Sequence, residues 1–259
     1  MIEEPYRWVE AIANRREYIE TQLAAGSPIV AVGCKEGILF VTVGRGRQKI
    51  FEIYDRIALG AIGHPGDIER LRMAAIELAS TEGFTRSAAD VSLRRLAHYS
   101  LSPVLKTAFE QVYGAPYLAR SLFAEIGKTQ EQDLFLRLEY DGAILTSPGG
   151  ETVAADSFAA IAGGRDATER ATTYLRSNHK PGASLRQAFN VAIDGWTVAQ
   201  LPTGEAGGEQ IPSRDRITAA RAEHVRPGAI EAALLERDDS RSIRYRALSD
   251  AEIAEKVGG

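Results

Sequence analysis

The sequence predicts an α/β (α+β) protein built as a four-layer α/β/β/α sandwich. One observation is the order of the predicted elements along the chain: strands, two helices, strands, two helices, strands. Two sheets must then cover each other on one face, and each pair of helices must cover an outer face. The other observation is size, since 259 residues that are 44% hydrophobic can bury a large core without disulfides or metals.

The first predicted element is a helix over residues 5–25, with Pro5 in its first turn. Gly26 is expected to end it. Four apolar residues can share one stripe along it: Trp8, Ile12, Ile19 and Leu23. The helix has no obvious place in the four layers, so we expect it to pack elsewhere, against another subunit.

Short β-branched runs predict strands in the next part, at 28–34, 37–44, 49–55 and 56–63. After residue 63 the apolar residues recur at helical spacing, which predicts two helices. One covers 65–83, and the other is a long helix over 87–114. Ser87, with Asp90 three residues on, resembles a capping box, and Pro103 should bend or divide this second helix.

The second half repeats the pattern. Strands are predicted at 117–127, 133–142, 143–149 and 159–164, with Asp141 and Gly142 forming a turn. Helices follow at 165–179 and 184–200, and the Gly/Pro-rich stretch 201–216 is predicted to be a loop. The last elements are strands at 229–238 and 242–249 and a helix at 249–257.

Composition argues against several functions. The net charge is −4 with both signs dispersed, so no nucleic-acid partner is expected. A single cysteine, Cys34, rules out a disulfide within the chain and fits the cytoplasm. The longest apolar runs fall short of a membrane span. Four histidines show no metal-ligand spacing, and "GRG" at 44–46 lacks the rest of a phosphate loop, so neither metal nor cofactor is expected.

One junction raises a question of chemistry. Gly26–Ser27 stands directly before the first β-branched run, as in a hydrolase that cleaves itself to expose a hydroxyl nucleophile with a free α-amine. That chemistry needs the hydroxyl, the amine as proton acceptor and a nearby lysine.

The order of elements, with "GCKEGILFV", "QKIFEIYDRIALGAIGHPGDIERLR" and "GGRDATERATTYLRSNHKPGASLRQAFNVAI", resembles the proteasome core-particle subunits, above all the α-type subunit of bacterial (actinobacterial-like) 20S proteasomes. The likeness covers nearly the whole chain. It implies an Ntn-hydrolase sandwich (27–259) with an added N-terminal helix (1–26). It also implies seven-membered rings in which α rings cap catalytic β rings, while a ring-shaped AAA ATPase docks on the α face and delivers unfolded protein.

The resemblance also bears on Ser27. In catalytic β subunits a processed threonine occupies this register, and Lys49 matches the catalytic lysine. The family's supporting acid, however, corresponds here to about Val43, which cannot serve. The 26 preceding residues look like a helix that α subunits keep. We therefore expect a non-catalytic α-type subunit; the alternatives are a self-processing Ser-type Ntn hydrolase that uses Ser27 and Lys49, and a diverged homologue that assembles without protease function.

Lys49 then needs another role. The resemblance implies a pocket between adjacent subunits, formed by Lys49, Gly63 and His64, where the ammonium group pairs with the terminal carboxylate of an activator tail ending in hydrophobic–Tyr–any residue. From the residues alone, the favoured interpretation of Lys49 is an edge lysine that discourages aggregation; the resemblance favours the pocket. Ring contacts and the pore are expected to involve the first helix: Pro5, Tyr6, Trp8, Ile12 and Tyr18. Only "MIEE" precedes Pro5, so a strong gate is not expected.

Overall fold

A computed structural model of the protein describes residues 5–44, 46–111, 113–146, 156–202, 211–238, 240 and 243–257. Two five-stranded antiparallel sheets form its centre. The predicted order of strands and helices is confirmed in outline, and the fold is the four-layer α/β/β/α sandwich.

The first sheet has the strand order β10-β9-β2-β1-β8. Its central strands are buried along their whole length, because the sheet is covered on both faces. The strands are β1 (Ile29–Cys34), β2 (Gly37–Val43), β8 (Phe158–Ile161), β9 (Ile230–Glu236) and β10 (Tyr245–Ala247).

The second sheet has the order β3-β4-β5-β6-β7, so β3 and β7 are its edges. A register shift between Glu52 and Tyr54 marks a bulge in β3. The strands are β3 (Ile50–Tyr54), β4 (Ile57–Gly63), β5 (Ala119–Glu125), β6 (Leu134–Leu138) and β7 (Ile144–Thr146). The predicted turn at Asp141–Gly142 joins β6 to β7, and Gly142 has a positive φ of 81°.

Helices cover both outer faces. The first sheet is covered by α5 (Arg165–Asn178), α6 (Leu185–Gln200) and α8 (Asp250–Val257), and α7 (Arg214–His224) packs on α6. The second sheet is covered by α2 (Pro65–Thr85) and by the helical segment made of α3 (Leu93–Arg95), a π-helical turn (Leu96–Leu101) and α4 (Ser102–Glu110).

Two helical predictions need correction. The helix predicted over 87–114 begins at Leu93, because Ser92 caps it, whereas Ser87 caps only a 3-10 turn (Ala88–Asp90). Its division near Pro103 is confirmed, since a π-helical turn precedes α4. The loop predicted over 201–216 is wrong at its end. Ser213 caps α7 there, and Ile217 of α7 is buried against Tyr174 and Val198.

The first helix, α1 (Pro5–Leu23), has a place on the sandwich after all. Ile19 and Leu23 are buried against Phe109 and Tyr140 at one end of the two sheets, and Ile12 packs against the same group. The expectation that the whole helix packs elsewhere is therefore wrong for its second half. Trp8, predicted in the same stripe, is instead 42% exposed.

Candidate functional site

Ser27 lies between α1 and β1, at the end of the sandwich where β2 also ends. Its hydroxyl donates a hydrogen bond to the carbonyl oxygen of Val43 and accepts one from the indole N–H of Trp196, at 3.2 Å. Trp196 is buried on α6. The hydroxyl is therefore held by a main-chain carbonyl and an indole, and neither of these groups can act as a general base.

Val43, which the sequence comparison predicts to lie at about the position of the family's acidic residue, is the last residue of β2 and is buried. Its side chain packs in the apolar core between the first sheet and its helices. A carboxylate here would be costly without a partner, because a buried charge loses its hydration. The structure thus puts an aliphatic side chain next to Ser27, as the sequence predicted.

Lys49 lies directly before β3, at the same end of the sandwich. Its side chain lies against Gly44, where an added Cβ would be 2.7 Å from Nζ. Among the residues described, Nζ has no carboxylate within 4 Å, although Glu231 attracts it over a longer distance. Burial lowers the pKa of Lys49, and the charge of Glu231 opposes that shift.

The main chain at Lys49 is fixed by Glu231, a half-buried residue at the start of β9. The N–H of Lys49 donates to both carboxylate oxygens at 3.0 Å, and the N–H of Ile50 donates to Oε1 at 2.8 Å. Burial raises the pKa of Glu231, and these two N–H groups hold it down. Glu231 therefore ties the edge of the second sheet to the first and sets where the Lys49 side chain begins.

A cleft of about 610 Å³ opens beside Ser27. Its floor contains Val43 and Trp196, and three exposed residues from the end of α7 and just beyond it, Glu223, His224 and Arg226, stand on its rim. The lining residues are Ser27, Val43, Gly44, Trp196, Gln200, Glu223, His224, Arg226 and Ala229. The cleft therefore mixes apolar walls with charges of both signs.

Gly63 and His64 lie at the end of β4, near Lys49. Ala61 donates its N–H to the carbonyl oxygen of Lys49, so Gly63 is two residues along the adjacent strand. Gly63 has a φ of 132°, and a Cβ there would lie 2.0 Å from the carbonyl oxygen of Leu118. Position 63 therefore requires glycine, because any side chain would collide with the main chain at Leu118. His64 is exposed, and its Nδ1 lies 3.9 Å from Asp67.

A buried arginine fastens α1 beside this site. Arg120, on β5, is 1% exposed, and its guanidinium donates to Glu139 at 2.7 Å and to both carboxylate oxygens of Glu20 on α1 at 3.1 Å. It also donates to the carbonyl oxygens of Ala162 and Gly163. The buried guanidinium therefore has hydrogen-bond acceptors on several sides, as a buried charge requires.

Glu20 has further partners of its own. The hydroxyl of Tyr140 donates to it at 2.8 Å and Arg165 donates at 3.3 Å. Burial opposes ionisation, but Tyr140, Arg120 and Arg165 together hold the pKa of Glu20 below its ordinary value. An arginine of α1 itself, Arg15, caps the end of α4 by donating to the carbonyl oxygen of Phe109 at 2.8 Å.

The other predicted contact residues are spread along α1. Trp8 and Tyr18 are 42% and 53% exposed, and Ile12 is half-buried. The side chains of Pro5 and Tyr6 lie outside the described part of the chain. α1 thus packs one side against the sandwich, through Ile12, Ile19 and Leu23, and carries exposed aromatic side chains at Trp8 and Tyr18.

Sequence reasoning missed the residues that support the site: Trp196, Glu231 and Arg120. Each meets a partner that is one hundred or more residues away along the chain. The one local signal was a charged residue in an otherwise apolar strand pattern, as for Arg120 in "YLARSLFAEIG". A lone arginine in such a strand indicates a buried ion pair.

In the described ranges, no three His, Cys, Asp or Glu side chains are grouped so as to hold a metal ion. The helices described there also include none that is long and apolar enough to cross a membrane.

Fold and site together define a sandwich of the N-terminal-nucleophile type in which a helix is built onto the nucleophile end. Residues 23–195 match the family model described as "Proteasome subunit". The chain is 32% identical to a "Proteasome subunit alpha" of Frankia alni, over 83% of this chain and 82% of that protein. It is 31% identical to one of Streptomyces avermitilis (84% and 80%) and 30% identical to one of Nocardioides sp. (96% and 86%).

This chain belongs to the proteasome subunit family, as the resemblance in its sequence predicted. The similarity to subunits named as α type extends over most of its length and assigns it to the α branch.

Proposed function

We propose that the chain is a non-catalytic α-type subunit of a bacterial 20S proteasome in the cytoplasm. Copies form a ring, seven-membered in the family, that caps rings of catalytic β subunits and controls the access of unfolded protein to them. A ring-shaped ATPase docks on the outer face.

The observation that carries this proposal is the attachment of α1. Ile19 and Leu23 are buried, and Glu20 is part of the Arg120 network, so the segment ahead of Ser27 belongs to the folded core. A propeptide that must leave would not be expected to supply core residues. Ser27 then keeps a peptide nitrogen in place of the free amine that the chemistry needs.

The surroundings of Ser27 support the same conclusion. Its hydroxyl proton is directed at the carbonyl of Val43, and no acidic side chain occupies the supporting position. The self-processing alternative has one observation in its favour, since Ser27 lines a cleft of about 610 Å³. That cleft can hold a substrate and has Glu223 and His224 on its rim, but the hydrogen bonds described for the Ser27 hydroxyl go to the Val43 carbonyl and the Trp196 indole and to neither of these side chains.

We assign ATPase docking to Lys49, with Gly63 and His64 beside it. Support comes from the half-buried ammonium group, which has no carboxylate within 4 Å among the described residues. The terminal carboxylate of an activator tail would supply that partner, and a charge-assisted contact of this kind is favoured in a partly desolvated cleft.

The first test is the denatured mass of the purified chain, followed by assembly with a β-type subunit of the same organism. A mass near 28.1 kDa and peptidase activity only with the β partner are expected. A mass short by the first 26 residues, with Ser27 at the new N-terminus, would establish the self-processing alternative and overturn the proposal.

The docking assignment has its own test. Lys49→Ala should abolish binding of a peptide that ends in hydrophobic–Tyr–any residue, while basal peptide cleavage by the α–β particle stays unchanged. Lys35→Ala is the matched control, because Lys35 is an exposed lysine in the β1–β2 turn, at the other end of the sandwich. Loss of basal cleavage with Lys49→Ala, or unchanged peptide binding, would contradict the assignment.

A further inference from the structure

An acidic side chain without a partner lies on the edge strand β3. Glu52 is half-buried, and among the described residues no arginine, lysine or histidine lies within 4 Å of its carboxylate. It is paired in register with Ala58, which belongs to the core between the two sheets, so Glu52 faces the layer between the sheets. Burial raises the pKa of Glu52, and the nearby Asp55 adds to that effect.

Glu52 lines a cleft of about 550 Å³ along this edge. The acid on the opposite wall, Glu69, is already held by Arg72 at 2.7 Å. Glu52 is therefore the carboxylate of this cleft that is available to an incoming cation. The residues that line the cleft are Gln48, Phe51, Glu52, Ile53, Glu69, Arg72, Ile76 and Tyr245.

A basic side chain without a partner lies toward the other edge of the same sheet. Arg137, on β6, is half-buried, and its guanidinium makes no hydrogen bond or ion pair with any described residue. Glu139 is already engaged by Arg120, and Glu169 lies beyond 4 Å of Arg137. The five N–H donors of Arg137 thus have no acceptor among the described residues, and burial lowers its pKa although the charges of Glu139 and Glu169 oppose that shift.

Arg137 and Glu52 lie on the same face of the second sheet, toward the layer between the sheets, but near opposite edges. Arg137 is in register with Leu122, a residue of the core between the sheets, as Ala58 is for Glu52. β3 and β6 are separated by two strands in the order β3-β4-β5-β6-β7, which is about 14 Å at the usual strand spacing. The two side chains thus cannot meet within one chain.

A head-to-tail contact joins two different surface patches, one from each of two neighbouring subunits, so it can bring Arg137 of one copy to Glu52 of the next. We propose that Arg137 of one subunit enters the β3 cleft of the next and pairs with its Glu52, so that the partner is a second copy of this chain. The inference rests on the proposed ring, and it adds which groups hold adjacent subunits in register. Such a pair would satisfy two half-buried charges at once and disfavour a two-fold dimer, in which like edges meet.

The test is charge reversal with native mass spectrometry of the full-length chain. Arg137→Glu alone and Glu52→Arg alone each place like charges at every contact. Either should raise the protomer concentration at which rings form by at least about tenfold, since like charges across an interface cost several kcal/mol. The double variant, R137E with E52R, restores an opposite pair at every contact and should assemble as the parent does. Arg216→Glu, an exposed arginine on α7, is the control.

Each outcome decides the matter. If both single variants assemble as well as the parent, the pair does not hold the ring. If the single variants stay folded, judged by their thermal midpoints, and the double variant still fails to assemble, the two residues do not meet. Failure of the parent chain to form any ring, alone or with β subunits, would instead count against the proposed function, so the two failures are distinguishable.

Discussion

Replacing Arg120 with methionine should destabilise the fold more than any other single change near the site. The substitution keeps an unbranched side chain but removes the guanidinium, which is 1% exposed and contacts two carboxylates and two carbonyl oxygens. Glu139, which is 8% exposed, would be left buried without its cation.

Removing one partner of a buried ion pair costs about 3–5 kcal/mol of the free energy of unfolding. In a chain of this size, ~1 kcal/mol lowers the thermal midpoint by about 2–4 °C, so Arg120→Met should lower it by roughly 6–20 °C. Differential scanning calorimetry of the chain without β subunits, at one fixed protomer concentration, measures this shift. Amide hydrogen exchange should also increase in the second half of α1, since Glu20 loses its main partner.

A second variant identifies the cause. In R120M with E139Q, the orphaned carboxylate becomes neutral, so the double variant should recover part of the lost thermal midpoint. Arg186→Met is the matched control, because Arg186 is exposed on α6, and it should change the midpoint little. A midpoint for Arg120→Met within 2 °C of the parent, or no recovery in the double variant, would refute this reasoning.

Three further predictions concern α1 and the site. The pKa of Glu20 is lowered from 4.5, so its contribution to stability is complete above pH 4.5 and is lost as the pH falls through the lowered value. Hydrogen exchange measured during an acid titration should show α1 loosening in that range. Glu20→Gln should make the exchange of α1 less dependent on pH. Ser27→Ala leaves the indole N–H of Trp196 without its acceptor and should cost about 1–3 kcal/mol in urea denaturation, while α–β peptidase activity stays unchanged. The pKa of Lys49 is lowered from its ordinary value of 10.5, so the ammonium group should lose its proton, and a labelled tail peptide should lose affinity, at a pH below 10.5. Lys49→Arg should remove this pH dependence of the affinity, measured by fluorescence anisotropy.

The fold was predictable from sequence because the spacing of apolar residues differs clearly between its strands and its helices, and because its strands are short β-branched runs. α7 was missed because it is polar, with only Ile217 and Ala220 buried, so its signal depends on the α5–α6 surface beneath it. The helix over 87–114 was predicted as too long because both Ser87 and Ser92 are good caps, and packing on the second sheet selects the latter.

The site was predictable only in part. Ser27 and Lys49 lie at the same end of the sandwich because each precedes a strand that begins there. Their partners were not predictable, since the Trp196 indole and the Glu231 carboxylate come from elements 169 and 182 residues away. Local pattern carries no information on such pairings, which depend on how the helices and the two sheets are stacked.

The attachment of α1 has a consequence for converting this chain into a protease. Cleavage before Ser27 would create the amine that catalysis needs, but it would also expose the apolar surface of Phe109 and Tyr140 and deprive Arg120 of one of its two acids. Loss of the segment ahead of Ser27 would therefore cost the sandwich part of its core at that end. A designer who wanted both peptidase activity and an intact sandwich end would have to rebuild that end with new apolar cover and a neutral residue in place of Arg120 before introducing an acid at position 43.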